Sequence, residues 1–313
     1  MAGGFLDMLT VDVLIPVYRP GALLERLLSG LEAQSFPIGK IILMNTEQRY
    51  FPEGLQKSYP KLEVRHLTRA EFDHGGTRDA GIRSSAADVV VCMTQDAVPA
   101  DRYLIERLAE SFSDPQVWAA YARQLPRPDC SEVERYTRSF NYPQESSVKG
   151  RSDLERLGVK TFFCSNVCAA WRRRAYLELG GFERKTIFNE DMILAGRMVL
   201  AGGKIAYRAD AQVIHSHNYT ASEQFHRYFD LAVSQVMHPE VFAGVSSESE
   251  GMRLVKKTVG HCMRIGKPWL IPAVISQNAG KFLGYRAGRH YRRLPRSVIR
   301  MCTMNRPFWE SGD

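Results

Sequence analysis

Short apolar runs alternate with longer amphipathic segments in the first part of the chain. The runs are rich in β-branched residues and predict strands at residues 11–17, 40–44, 62–67, 89–93 and 118–122. The amphipathic segments between them predict helices at residues 22–33, 77–86 and 101–112. Such alternation is typical of an α/β fold, in which a doubly wound and mostly parallel sheet is flanked by helices.

The pattern changes in the second part of the chain. Residues 126–160 are polar and irregular and predict no regular element. Further strands are predicted at residues 161–170, 204–207 and 212–215, and further helices at residues 172–179, 189–201 and 222–237. We expect Asn189 to cap the second of these helices.

A single acid follows the central strand. The uninterrupted apolar run at residues 89–93 predicts a strand that is buried on both faces, and Asp96 comes shortly after it. In open α/β sheets the ligand crevice lies at the carboxyl ends of the strands. An acid placed there can hold a divalent cation, and the cation can hold a diphosphate. The alternative is a solvated acid in a turn.

Two histidines and two further acids are candidates for chemistry. His215 and His217 are two residues apart and share a face if the strand extends through them. One of them, together with Asp96, would form a magnesium or manganese site that leaves positions for phosphate oxygens; otherwise both are structural. Glu190 and Asp191 open a helix, either as first-turn capping residues or with one acting as a general base for an acceptor hydroxyl.

A glycine-containing segment precedes the helix predicted at residues 77–86. Its sequence is His74-Gly75-Gly76-Thr77-Arg78. The glycines let the backbone approach an anion, the helix N–H groups point outward, and Arg78 can bind phosphate or a base carbonyl. The segment is neither a P-loop nor a dinucleotide fingerprint, since the required glycine and lysine spacings are not met.

Seven short motifs follow one another in a defined order. They are Pro16-Val17-Tyr18, Asn45-Thr46, Gly76-Thr77-Arg78-Asp79-Ala80-Gly81-Ile82, Thr94-Gln95-Asp96-Ala97, Gly180-Gly181-Phe182, Asn189-Glu190-Asp191 and His217. This order resembles glycosyltransferase family 2, over about residues 10–235. Three segments, at residues 71–78, 94–97 and 215–219, resemble its bacterial rhamnosyltransferase branch. Each motif is weak by itself, and the set points to the family more firmly than to the sugar.

The resemblance implies a GT-A fold and an inverting, single-displacement transfer from a nucleotide-activated sugar. The reaction that the resemblance favours is transfer of L-rhamnose from dTDP-L-rhamnose to a hydroxyl of a growing, lipid-linked cell-surface polysaccharide. The alternatives are a transferase that uses another sugar on a UDP or GDP donor, and a non-catalytic subunit that binds a nucleotide sugar or a glycan.

The resemblance also implies roles for individual residues. It makes Asp191 the catalytic base and assigns a Mg²⁺ or Mn²⁺ ion to Asp96 and His217, with His215 as the second choice. Donor binding is implied for Pro16, Val17, Tyr18, Asn45, Thr46, Arg78, Gln95 and Asp96. Binding of the transferred sugar or the acceptor is implied for Ser165, Asn166 and Glu190.

The sequence departs from the family pattern in two places. Thr94 and Gln95 stand where the family has the first acid and the middle residue of Asp-X-Asp, so metal binding depends on Asp96 and one histidine. Asn45 and Thr46 replace acids that usually contact the base and ribose. The base preference is therefore open between thymidine and uridine.

Charge sets the C-terminal part of the chain apart. The chain has 42 Lys and Arg against 34 Asp and Glu, and residues 251–313 hold 13 of these cations but only two of the acids. Aromatic and apolar side chains interleave with arginines in this region, which suits an anionic bilayer surface. We therefore predict a GT-A domain at residues 1–240 and a basic helical region at residues 241–313. The alternative is a basic helix packed on the body; nucleic acid binding is not expected, because no recognition module precedes the tail.

The remaining composition is that of an ordinary globular protein. Hydrophobic residues make up 44% and charged residues 24% of the chain. The sequence shows no signal peptide, and its longest late apolar run is far shorter than the roughly 20 residues of a spanning helix. The six cysteines show no zinc spacing and fit reduced thiols. We expect a cytoplasmic protein that is peripheral at the inner face of the plasma membrane.

Overall fold

One sheet of nine strands runs through the computed structural model, which describes residues 4, 6, 8–245 and 248–310. The strands are β1 (Val11–Tyr18), β2 (Ile41–Thr46), β3 (Leu62–Leu67), β4 (Val89–Met93), β5 (Val98–Pro99), β6 (Val117–Leu125), β7 (Ser147–Lys149), β8 (Cys168–Arg172) and β9 (Lys204–Ile214). Their spatial order is β3-β2-β1-β4-β8-β6-β9-β5, and β7 also pairs with β9.

Helices cover both faces of this sheet and form the C-terminal part of the chain. They are α1 (Ala22–Glu32), α2 (Leu55–Ser58), α3 (His74–Ser84), α4 (Leu104–Glu110), α5 (Glu132–Asn141), α6 (Leu154–Leu157), α7 (Arg173–Glu178), α8 (Glu190–Leu200), α9 (Ala221–Met237), α10 (Pro239–Phe242), α11 (Glu248–Arg264), α12 (Ile271–Arg289), α13 (Arg296–Cys302) and α14 (Arg306–Glu310).

The leucines of α1 pack on one face of the sheet with Val13 and Val91. Trp171 and the apolar side chains of α8 pack on the other face with Leu14 and Val90. Successive side chains of a strand point to opposite faces, so the uninterrupted apolar runs of β1 and β4 supply both clusters.

The strand pairing is parallel on one side of the sheet and mixed on the other. β1 pairs in parallel with β2 and β4, and β2 pairs in parallel with β3. β8 lies between β4 and β6 and runs antiparallel to both, while β6 and β9 are parallel. The predicted α/β fold with flanking helices and a helical C-terminal region is confirmed. The carboxyl ends of β1, β2 and β4 meet at one edge, where most of the predicted donor-binding residues lie.

Residues 126–170 differ from the sequence prediction. The segment predicted to be irregular contains α5 and β7, and the strand predicted to begin at residue 161 begins at Cys168. The strand begins late because the buried ammonium of Lys149 donates to the carbonyl oxygens of Lys160 (3.0 Å) and Phe163 (2.8 Å). Carbonyls that bind an ammonium are not free to join a strand ladder. Burial lowers the pKa of Lys149 to about 8.

Helix α12 packs against α9 through a row of glycines. Gly280, Gly284 and Gly288 recur at every fourth position and therefore lie on one face of the helix. A β-carbon added at Gly284 would lie 2.1 Å from the carbonyl oxygen of Phe225, and at the other two glycines 2.3 Å from the nearest carbonyl oxygen of α9. The two backbones approach so closely that a side chain has no room at these positions.

Hydrogen bonds tie the last part of the chain to the body. Asp230 of α9 is buried and accepts hydrogen bonds from Oγ1 of Thr303 (2.6 Å) and from the N–H of Met304 (2.9 Å). Asn305 donates to the carbonyl oxygen of Ile187 (3.3 Å), three residues before Glu190. These bonds and the glycine contact pack the C-terminal helices on the body, while Phe282 and Leu283 of α12 stay exposed. The predicted domain boundary at residue 240 stays a prediction.

Across the residues that the structure describes, no helix combines the length and the apolar character that crossing a bilayer requires.

The glycine contact predicts a large difference between two alanine substitutions. Gly284→Ala should lower the free energy of unfolding by about 1–3 kcal/mol, because the new β-carbon overlaps the carbonyl oxygen of Phe225. Gly260→Ala in α11 is the matched control, since an added β-carbon there meets nothing within 4 Å. Alanine should raise the free energy of unfolding there by up to about 1 kcal/mol. Urea unfolding measures both, and a Gly284→Ala variant as stable as the wild type would contradict the close contact.

Candidate active site

One side chain joins the carboxyl ends of β1 and β4. Gln95 accepts a hydrogen bond at Oε1 from the N–H of Tyr18 (3.0 Å) and donates from Nε2 to the carbonyl oxygen of Tyr18 (3.0 Å). Both polar groups of the amide are therefore engaged by the backbone of β1. Gln95 thus fixes the edge of the crevice, and Asp96 follows it directly.

The residues that end β1 differ in how they face this edge. Val17 is buried in the core, so a ligand can reach it only through its backbone, and Pro16 is partly buried. Tyr18 is 37% exposed. The guanidinium of Arg19 lies 5.2 Å from the ring centre of Tyr18 and 4.7 Å from that of Tyr50. Exposed aromatic surface therefore borders the crevice on the β1 side.

Two buried polar side chains end β2. Asn45 and Thr46 are 0% and 3% exposed. Nδ2 of Asn45 lies 3.0 Å from Nδ1 of His66 on β3. Oδ1 of Asn45 and Oγ1 of Thr46 have no hydrogen-bond partner within the described structure. Buried polar atoms without partners are uncommon, and these two have hydrogen-bonding capacity left for a ligand.

Asp96, His215 and His217 form a cluster of possible metal ligands. Oδ2 of Asp96 lies 3.4 Å from Nε2 of His215 and 3.3 Å from Nε2 of His217. One ligand atom from each residue lies within 4.8 Å of the others. Two atoms bonded at right angles to one Mg²⁺ at about 2.1 Å are roughly 3 Å apart, so this spacing fits a shared cation.

The surroundings of His215 leave a lone pair on the nitrogen that faces Asp96. Oε1 of Gln124 accepts a hydrogen bond from Arg138 and lies 3.2 Å from Nδ1 of His215. Because that oxygen is an acceptor, the proton of neutral His215 lies on Nδ1 and Nε2 carries none. Burial lowers the pKa of His215, which favours this neutral form. A carboxylate oxygen and an imidazole lone pair then face each other, and a cation between them satisfies both.

Two hydrogen bonds fix the loop that carries the second histidine. The N–H of Arg127 donates to Oγ of Ser216 (3.0 Å), and the N–H of Ser131 donates to Oδ1 of Asn218 (2.9 Å). The segment between β6 and α5 therefore holds the residues on both sides of His217. The family resemblance makes His217 the first choice of ligand and His215 the second, whereas the structure places both histidines beside Asp96.

Asn166 holds the two acids that open α8. Its N–H donates to Oδ2 of Asp191 (2.9 Å), and its Nδ2 donates to Oε1 of Glu190 (3.2 Å). Nε1 of Trp171 donates to Oδ1 of Asn166 (3.0 Å), which fixes the orientation of the amide. Asn166 and Trp171 are both buried, so the position of the two carboxylates is set by the core.

Glu190 has a buried cationic partner. Nη1 of Arg78 lies 3.2 Å from Oε1 of Glu190 and also donates to the carbonyl oxygen of His74 (2.9 Å). Burial alone would raise the pKa of Glu190, but the charges of Arg78 and His74 and the hydrogen bond from Asn166 together outweigh burial and lower the pKa. Arg78 is thus engaged with an acid, and its Nε has no partner within the residues described.

Asp191 is the neighbouring acid, and no cation forms an ion pair with it among the residues that the structure describes. Burial, and then the negative charge of Glu190, raise the pKa of Asp191 above its ordinary value. A carboxylate with a raised pKa is a stronger base than an exposed one. Asn189 occupies the predicted N-cap position, in the left-handed region at φ 73°, but its side chain makes no capping hydrogen bond.

Gln124 is not singled out by the sequence analysis, yet it connects the two halves of the site. Its Oε1 faces His215, and its Nε2 donates to Oγ of Ser165 (3.2 Å), the residue before Asn166. A continuous chain of contacts therefore leads from Asp96 to the acids of α8. The only sequence signal for Gln124 is its position, as a polar residue close after the strand predicted at 118–122.

Arg227 of α9 is a second residue that the sequence did not indicate. Its guanidinium lies 4.7 Å from the ring centre of Phe188 and 5.5 Å from that of Tyr219. Phe188 comes just before the acids of α8, and Tyr219 follows His217. Cation–π contacts therefore join the two functional segments across α9.

Two curated relatives match nearly the whole chain. The O-antigen chain rhamnosyltransferase RfbN of Salmonella typhimurium is 37% identical over 305 residues, which is 96% of each protein. The O-antigen chain rhamnosyltransferase WbaN of Salmonella anatum is 35% identical over 309 residues, which is 97% of each protein.

Solved structures of low sequence identity share the fold. The mannosyltransferase PcManGT from Pyrobaculum calidifontis, in complex with GDP-Man and Mn²⁺, is 14% identical with a TM-score of 0.57, over 96% of this chain and 88% of its own. TarS 1-349 of S. aureus, in complex with UDP-GlcNAc, is 12% identical with a TM-score of 0.52, over 91% of this chain and 92% of its own. The expected GT-A fold is thereby confirmed.

The motif order noted in the sequence agrees with these likenesses. A family model described as "Glycosyltransferase like family 2" matches residues 10–237, which is most of the chain. That stretch contains the strand ends, the Asp96 cluster and the acids of α8. The chain belongs to glycosyltransferase family 2.

Proposed function

We propose that this glycosyltransferase transfers L-rhamnose from dTDP-L-rhamnose to a hydroxyl of a growing, lipid-linked polysaccharide at the inner face of the plasma membrane. The observation that carries the proposal is sequence identity of 37% and 35% to two proteins named as O-antigen chain rhamnosyltransferases, over nearly the full length of each. The site supplies the chemistry that such a transfer needs: a basic carboxylate and a cluster suited to a cation.

The proposed transfer is a single displacement with Asp191 as the base. The acceptor oxygen forms a bond to the anomeric carbon while the bond from that carbon to the diphosphate oxygen breaks. The hydroxyl proton passes to the carboxylate of Asp191, and the nucleoside diphosphate leaves. Because attack comes from the face opposite the leaving group, the anomeric configuration inverts. Asn166 and Glu190 hold and polarise the base, and Ser165 lies one residue from Asn166 on the side where the sugar would bind.

Asp96, His215 and His217 are the residues that would hold Mg²⁺ or Mn²⁺. The fit rests on the two acceptor atoms of Asp96 and His215 that face each other without a proton between them. Such an ion would stabilise the negative charge that develops on the departing diphosphate. Gln124 keeps Nε2 of His215 aimed at that position through its bond to Nδ1.

The nucleoside is assigned to the carboxyl ends of β1 and β2. The buried Oδ1 of Asn45 and Oγ1 of Thr46 can accept or donate to a base or ribose, and Tyr18 offers ring surface beside them. None of these groups is charged, which fits a neutral pyrimidine. Thymidine is the proposed base, and a uridine or guanosine donor is the alternative.

A donor screen tests the proposed function. The full-length protein, Mn²⁺ and a short soluble glycan acceptor are incubated with dTDP-L-rhamnose, UDP-GlcNAc or GDP-mannose, and mass spectrometry detects the product. We expect a rhamnosylated product from the first donor. Transfer from only a UDP or GDP donor would contradict the sugar, and binding of donors without any transfer would favour the non-catalytic subunit.

Asp191→Asn should separate binding from catalysis. The amide cannot take the acceptor proton, so we expect the transfer rate to fall by about 10²–10⁴ while the dissociation constant for the donor stays near that of the wild type. Glu178→Gln is the control, since this exposed acid of α7 pairs with Arg174 and lies outside the pair on α8. Parallel loss of donor affinity and rate would make Asp191 a binding residue instead.

The pH dependence follows from the same carboxylate. The base must be ionised, and its pKa is raised, so activity should decline as the pH falls through that raised value. The acid limb of the rate profile should thus lie above the pKa of about 4 that an exposed aspartate shows. The residual activity of Asp191→Asn should lack this limb.

Metal binding can be measured without turnover. Asp96→Asn removes the one charged ligand of the cluster, and we expect affinity for Mn²⁺, followed by electron paramagnetic resonance, to fall at least about tenfold. Gln124→Leu frees His215 to change tautomer and should lower the affinity for Mn²⁺ about 10–100-fold. Glu178→Gln again serves as control, and unchanged Mn²⁺ affinity in both test variants would overturn the assignment.

A further inference from the structure

Helix α12 carries an exposed apolar face opposite its glycines. Trp269, just before the helix, is 68% exposed, and Ile275, Phe282 and Leu283 are 56%, 62% and 57% exposed. The spacing of Ile275 and Phe282 corresponds to two helical turns, so the side chains form a stripe along one side. We name these four residues the outer face. Scattered apolar residues are common on protein surfaces, but a stripe of four large ones marks an interaction surface.

Cations continue this stripe at the C-terminal end of α12. Four exposed arginines follow it: Arg286, Arg289, Arg292 and Arg293. The guanidinium of Arg286 lies 5.9 Å from the ring centre of Phe282, so charge and apolar surface are adjacent. The sequence contains no aspartate or glutamate between residues 251 and 309. Apolar side chains bordered by cations match the boundary between acyl chains and anionic headgroups.

The outer face has a fixed orientation relative to the active site. The glycines on the opposite side of α12 lie against the backbone of α9. Nε2 of Gln277 donates to the carbonyl oxygen of Tyr219 (3.2 Å), two residues after His217. A surface that docks through the outer face is thus held at a set distance and angle from the metal cluster.

We propose that the outer face of α12 and the arginines after it dock on an anionic lipid bilayer as a peripheral surface. The proposal does not depend on which sugar the enzyme transfers. Pairing with a second copy would bring two basic surfaces together, because a two-fold interface places the same patch on both sides. Nucleic acid would use the arginines but leave the large apolar side chains unburied. An anionic bilayer satisfies both features at once.

Vesicle co-sedimentation of the full chain tests this surface. The wild type should bind vesicles of phosphatidylglycerol and phosphatidylcholine in equal parts at least about tenfold more tightly than vesicles of phosphatidylcholine alone. Phe282→Ser/Leu283→Ser should weaken binding to the mixed vesicles about tenfold or more, because two apolar side chains no longer enter the interface. Arg292→Gln/Arg293→Gln should weaken it to a similar extent, and added salt should reduce what remains.

Matched controls change the same residue types on the body of the protein. Tyr103→Ser/Val148→Ser alters two apolar residues that are 42% and 53% exposed, and Arg65→Gln/Arg69→Gln removes two exposed cations on and after β3. Both should bind vesicles like the wild type. All substituted side chains are on the surface, so an unchanged melting temperature confirms that each variant is folded.

Several results would overturn the proposal. They are equal binding of the wild type to both kinds of vesicle, no binding to either, or wild-type binding by the two test variants. Sedimentation velocity supplies a further check, since a wild-type dimer that Phe282→Ser/Leu283→Ser dissociates would assign the outer face to self-association. Loss of DNA binding without loss of vesicle binding in the arginine variant would assign the cations to nucleic acid.

Discussion

Two neighbouring carboxylates at the start of α8, one buried and one partly buried, set the constraint on which the site depends. Carboxylates this close repel each other when both are ionised, and burial increases the cost. Arg78 lies 3.2 Å from Glu190 and stabilises its charge, so the penalty falls on Asp191, whose pKa rises. Asn166 binds both acids and is itself fixed by Trp171, so this division of charge is built into the core.

Neutral amide side chains hold the rest of the site together. Gln95 bonds the ends of β1 and β4 through the backbone of Tyr18, and Gln124 links His215 to Ser165. Each amide has a fixed orientation because a partner of known polarity engages one of its ends. Amides add no charge, and they position the cation ligands and the base through hydrogen bonds. Gln95 and Gln124 therefore act through geometry.

The sequence predicts those parts of the fold and the site whose signal is local. The strands before Asp96 and the leucine face of α1 follow from hydrophobic periodicity, and Asp96 and Asp191 stand out because they end a strand and open a helix. Gln124 gives no such signal, since its partner His215 is 91 residues away. The late start of β8 depends in the same way on Lys149, an amine that the fold buries and whose acceptors lie beyond the reach of any local pattern. Contacts that the chain makes only after folding determine both features, so hydrophobic periodicity does not predict them.

The glycine contact between α9 and α12 also has a consequence for biosynthesis. A ribosome makes α9 well before α12, so the surface of α9 stays uncovered while the earlier part of the chain folds. Phe229 and Val233, which are fully buried in the folded protein beside Tyr291 and Ile299, face solvent during that interval. The nascent chain thus presents an apolar surface of the kind that chaperones bind. The contacts around Ile187, next to the acids of α8, are completed only when the C-terminal helices arrive.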